Sequence, residues 1–168
     1  MSSYGLELGG SSAPRRLSRE ARIGIASVAA VVAIRIVGGN FIANDWEGWG
    51  TFIPTAIGAA VEGLLLWGVV FGLVVRLAAR GGGYRPAVVA LTTGAFAVLS
   101  LAIPYSAPQA ILGAGAVALG LVAVDRAEHR TPELLGRAAI VSGLFVIVIW
   151  LSFIAITFVT GDWPDVSL

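Results

Sequence analysis

Two ionisable side chains stand well inside long apolar runs: Arg35 in VVAIRIVGGNF (residues 31–41) and Glu62 in AAVEGLLLW (residues 59–67). In a low-dielectric setting a carboxyl group can carry a proton or hold a cation. A guanidinium keeps its charge there and serves as the counter-ion. A second acidic candidate, Glu47, lies in NDWEGWGT (residues 44–51) beside Asp45, Trp46 and Trp49. A carboxyl group among tryptophans can act as a general acid toward a lipid or isoprenoid, and also suits a turn carrying interfacial aromatics. The catalytic candidates are therefore Glu47 and Glu62, and Arg35 with Glu62 forms a candidate intramembrane charge pair.

Other chemistry has no residues to carry it. The chain contains no cysteine and a single histidine, His129. Thiolate catalysis, iron–sulfur ligation, bis-histidine haem and zinc sites are excluded within this chain. No P-loop, nucleophile elbow or dinucleotide fingerprint occurs. The glycine-rich ARGGGYRP (residues 79–86) follows an apolar helix rather than a strand, so it reads as a turn and not as a phosphate cradle. No cofactor and no metal are expected.

These side chains need elements to position them, and composition names the solvent of those elements. Of 168 residues, 57% are hydrophobic and 12% charged, with a mean hydropathy of +0.89. A soluble domain has about 45–50% apolar and about 25% charged residues. The net charge of +1 and the lack of a basic stripe with interleaved aromatics argue against a nucleic-acid partner. All eleven basic residues are arginine, which with abundant Ala, Gly and Val fits a GC-rich bacterial source.

Five apolar segments, about 22–43, 52–78, 86–104, 108–125 and 136–160, each approach the ~20 residues that cross a bilayer. The expected fold is all-α, a polytopic membrane bundle of five transmembrane helices. Residues 1–20 read as a flexible cytoplasmic tail, 21–161 as the transmembrane domain and 162–168 as a short outer tail. The first segment is too long for a signal h-region and bears Arg35, so it reads as an uncleaved span. Pro104 and Pro108 make IPYSAPQ (residues 103–109) a tight helical hairpin. Thr131-Pro132-Glu133 reads as a cap, a first-position proline and a first-turn acid for the last helix.

Arginine placement sets the orientation. Arg15, Arg16, Arg19 and Arg22 precede the first span; Arg76, Arg80 and Arg85 join spans two and three; Arg126, Arg130 and Arg137 join spans four and five. The intervening loops and the tail GDWPDVSL carry none. Ten of eleven arginines thus fall on one side, the cytoplasmic one, with the N-terminus inside and the C-terminus outside the bacterial cell membrane. Trp46, Trp49, Phe52 and Trp163 gather at the outer interface.

Small residues mark packing faces. Span four repeats Ala110, Ala114 and Ala118 beside Gly113 and Gly120; span two offers Gly68-x-x-x-Gly72 and Ala59-x-x-x-Gly63. Span five, rich in VIVIWLSFIAITFV (residues 146–159), is bulky. Spans two and four are expected to be central and span five peripheral. Arg35 then lies about 12 Å below the outer end of span one and Glu62 about 15 Å down span two, at matching depth. Pairing is one arrangement. The other has Arg35 snorkelling to outer headgroups while Glu62 is protonated.

Three function classes fit: a non-catalytic subunit or accessory factor that contacts a membrane-protein partner or forms a homo-oligomer through Gly/Ala faces; a small transporter or channel component using Glu62 and Arg35, with Ser27, Thr92, Thr93, Ser100 and Ser142 as path hydroxyls; and an intramembrane enzyme with Glu47 or Glu62 as acid. The first is favoured by the scarcity of polar groups.

Overall fold

The computed structural model describes residues 18–37, 49–81, 84–102 and 107–160. Residues 1–17 of the expected first tail, the whole of the expected second tail and the loop holding Asp45, Trp46 and Glu47 lie outside them. Every described element is helical: α1 (Arg19–Val37), α2 (Trp49–Trp67), π1 (Gly68–Val75), α3 (Arg76–Arg80), α4 (Arg85–Ser100), α5 (Ala107–Asp125) and α6 (Arg130–Thr160). The stretch Phe52–Arg80, through α2, π1 and α3, is continuous. Together with Pro108–Asp125 and Arg130–Thr160 it makes three helices long and apolar enough to cross a membrane. The helix α4 is apolar but has only 16 residues.

The central element is α5, which packs against α6, α4, α1 and π1. Ala114, Ala116, Ala118, Ile111 and Leu119 of α5 are buried, as the small-residue pattern of span four predicts. Close backbone approach explains why. A Cβ on Gly120 would stand 2.7 Å from the Gly136 carbonyl oxygen of α6, and one on Gly143 would stand 2.5 Å from the Gly113 carbonyl oxygen. Gly136, Ala139, Gly143 and Val146 are buried on one face of α6. The fifth span is thus not bulky all round: its inner face carries the small residues Gly136, Ala139 and Gly143 over its first half, and Val146, Trp150 and Ile154 beyond them.

The second span is not central. Gly68 and Gly72 face open space, with nothing within 4 Å of an added Cβ. Val61, Leu64, Leu65, Val69 and Leu73 of the same helix are more than half exposed. The other small pair does the packing: Ala59 and Gly63 are buried, and a Cβ at Gly63 would meet Val32 and Val28 of α1 at 3.0 and 3.3 Å.

In π1, an eight-residue stretch, the wider turn puts Val70, Phe71 and Val75 together in the core. Val70 fits against Gly115 of α5, while Trp67 and Phe71 fit against Gly24 of α1.

Two helix starts differ from expectation. The first helix begins at Arg19, with Ser18 capping it: the Ala21 amide donates to Ser18 Oγ at 3.3 Å. The last begins at Arg130, so Thr131 is inside the helix rather than its cap. Glu133 does lie in its first turn and pairs with Arg137 at 2.6 Å.

Candidate functional site

Arg35 and Glu62 meet. The antiparallel α1 and α2 bring the Arg35 Nη1 donor onto Glu62 Oε2, 27 residues away in sequence. The seam beneath them is what aligns the pair. Gly24, Val28 and Val31 recur with Arg35 on one face of α1, at spacings of three and four residues that stack side chains along a helix. Opposite them, Trp67 and Phe71 seat on Gly24, and Gly63 receives Val28 and Val32. Arg35 is 27% exposed and Glu62 36% exposed in their side chains. The pair lies at the margin of the α1–α2 interface, not in the core around α5.

The hydroxyls proposed as a polar path are occupied by their own helices. Ser27 donates to the Gly24 carbonyl, Thr92 to Val88, Thr93 to Val89, Ser100 to Ala97 and Ser142 to Ala139. Each donates back along its helix, three or four residues toward the N-terminus, so none connects one helix to the next. Thr93 on α4 and Thr157 on α6 are buried with the same local bond. Gln109 is the buried polar side chain that does cross between elements. Its Nε2 donates to the Ser100 carbonyl at 2.8 Å, tying the start of α5 to the end of α4.

His129 is exposed in the turn between α5 and α6. No group of three or more His, Cys, Asp or Glu side chains suited to a metal ion occurs among the described residues. Glu47 lies outside them, so Glu62 is the acidic candidate whose surroundings are defined.

At the opposite end of α1 from Arg35, Ser18 and Glu20 form a site that the tail reading of residues 1–20 missed. The signal was present: a serine, then an acid two residues on, then an apolar run. The Ser18 hydroxyl is the main influence holding the Glu20 carboxyl below its ordinary range, with burial opposing and Arg126 and Arg19 adding attraction. Arg126, from the end of α5, donates to the Ala79 carbonyl of α3. The N-terminal end of α1, the end of α3 and the end of α5 are thereby gathered into one arginine-rich end of the bundle. No family model matches the chain, and no curated protein or solved structure shows a match to it.

Proposed function

We propose that the chain is a multi-pass bacterial membrane protein with a non-catalytic role, a subunit or accessory factor that packs against other membrane proteins or further copies of itself. The observation that carries this reading is the internal use of polar groups. The ionisable pair is closed on itself and the span hydroxyls bond within their own helices. What remains outward on α6 is apolar and bulky: Val141, Leu144, Phe145, Val148 and Leu151 are exposed. Water would penalise such a surface by about 25 cal/mol per Å², whereas lipid or a partner helix accepts it. With the arginine-rich end in the cytoplasm, the positive-inside bias is satisfied.

Purification from its membrane in mild detergent, with cross-linking before extraction, tests this reading. A partner or second copy in fixed stoichiometry is expected. A monomer that drives proton flux in proteoliposomes, with flux lost in Glu62→Gln, would overturn it in favour of transport. One observation favours that rival: both side chains of the Arg35–Glu62 pair are partly exposed rather than enclosed in the core.

A further inference from the structure

A groove of about 460 Å³ opens at the arginine-rich end, between the start of α1, the wall formed by α2, π1 and α3, and the end of α5. Its volume is in the range of sites that hold small molecules, about 300–1,000 Å³. The groove is graded in polarity. Trp67, Phe71 and Gly72 line its apolar part; Arg76, Arg80 and Arg126 stand around the other.

Three features bear on its occupant. The first is charge. Three arginines face one carboxylate, that of Glu20, and Glu20 already has the Ser18 hydroxyl. Among the described residues, Arg76 and Arg80 have no ion pair or hydrogen-bonded side-chain partner; the ion pairs there are Arg35–Glu62 and Arg137–Glu133. The second is the gradient itself, cationic at the end of the bundle and apolar toward its middle, which matches a phosphate head followed by a hydrocarbon chain. The third is the backbone of the wall. Phe71 and Gly72 belong to π1, and π segments concentrate at functional sites. Gly72 itself lines the groove, and an added Cβ there meets nothing within 4 Å.

We infer that this groove binds one anionic phospholipid, its phosphate on Arg76, Arg80 and Arg126 and an acyl chain along Trp67, Phe71 and Gly72. Arginine presents its donors in a fork suited to phosphate oxygens, and basic pockets between membrane helices hold anionic headgroups. The inference rests on the membrane reading of the preceding subsection.

Native mass spectrometry of the full chain in a non-ionic detergent, titrated with phosphatidylglycerol or phosphatidylcholine, tests it. One phosphatidylglycerol per chain is expected, bound about tenfold or more tighter than phosphatidylcholine. Arg76→Gln/Arg80→Gln should remove that preference, and so should Gly72→Leu, which fills the apolar part and leaves every arginine in place. Arg137→Gln, at an arginine already paired with Glu133, should retain it. Circular dichroism confirms that each variant keeps its helices. Equal affinity for the two lipids would overturn the inference, as would an equal loss in Arg137→Gln or displacement of the lipid by inorganic phosphate at matched concentration. Alkaline carbonate extraction separates the two readings. A chain washed from the membrane that still selects phosphatidylglycerol would sink the membrane reading alone. A chain retained in the membrane without selectivity would sink the groove alone.

Discussion

Arg35 of α1 donates to the carboxylate of Glu62 of α2, and no other ion pair among the described residues joins two helices. The contact gives each of two charges in apolar runs a counter-charge on the neighbouring helix. It also fixes the register of an antiparallel pair whose other contacts, Gly63 against Val28 and Val32, are apolar and less directional. Arg35→Leu and Glu62→Leu should each destabilise the protein, and the double variant should cost less than the sum. The coupling is expected at about 1 kcal/mol, since polar pairs within membranes average about 0.6 and reach about 1.7. Full burial would give a larger penalty for losing one partner, about 3–5 kcal/mol, but both side chains here are partly exposed. A double-mutant cycle on unfolding in bicelles measures the coupling. Strict additivity would leave the pair without energetic weight.

The glycines of the bundle separate into those that touch backbone and those that touch nothing. Gly143 lies against the Gly113 carbonyl and Gly136 against that of Gly120, each within 3 Å of an added Cβ. Backbone cannot rotate aside as a side chain does. Gly143→Ala should therefore lower stability by about 1–3 kcal/mol, the range for overpacking a close contact. Gly68→Ala, facing open space, should be neutral or slightly stabilising, because alanine is the better helix former by about 1 kcal/mol. Thermal midpoints in one detergent compare the two. Equal losses would dissolve the distinction between the seam of α6 and the outward glycines of π1.

That distinction marks where the sequence is legible and where it is not. Span four carries alanines and glycines on several faces, so α5 reads as central from its pattern alone. Span two offers two small-residue pairs, and nothing local separates them. Ala59 and Gly63 turn toward α1, whereas Gly68 and Gly72 fall where the helix widens into π1, which shifts the following residues around the axis. A period of 3.6 does not anticipate that change of pitch. The inner face of α6 was hidden by its bulk: Gly136 and Gly143 precede the aromatic run that dominates the eye. The Arg35–Glu62 pairing was legible because antiparallel neighbours at equal depth leave two opposite charges little else to meet. The groove was not, because Glu20, Arg76 and Arg126 are scattered along the chain and only the fold gathers them.

Acid should weaken the start of α1. The Ser18 hydroxyl, with Arg126 and Arg19 nearby, holds the Glu20 carboxyl below its ordinary range in the folded chain. A depressed folded-state value means that the ionised form stabilises the fold. That contribution is complete above the unfolded value, about 4.3, and is lost as pH falls through the lower folded value. Wild type should therefore lose more stability than Glu20→Gln on acidification below about pH 4.3, and the two should converge at the acid end. Ser18→Ala should cost about 1 kcal/mol at neutral pH through the lost cap. Parallel acid losses in wild type and Glu20→Gln would show that Glu20 contributes nothing to the pH dependence.

The last prediction concerns the side of the membrane on which each end of α6 lies. With 31 residues, this helix is about 46 Å long at 1.5 Å per residue, well beyond the ~30 Å hydrocarbon core. If it spans, His129 before it and Leu168 after it face opposite sides, whatever the number of helices that precede them. Arg126, Arg130 and Arg137 flank the His129 end, so that end belongs in the cytoplasm and Leu168 outside. The chain has no cysteine of its own, so His129→Cys introduces a single thiol into an exposed turn. In intact cells with a permeable outer envelope, a membrane-impermeant maleimide should leave that thiol unlabelled until the cells are lysed. A reporter that works only outside the cytoplasm, fused after Leu168, should be active. Both ends reporting the same side would mean that α6 does not cross the membrane. Opposite sides in the reverse sense would keep the span and overturn the arginine rule for this chain. Labelling of His129→Cys only after lysis, together with an active reporter at Leu168, fixes α6 as a span with its arginines inside.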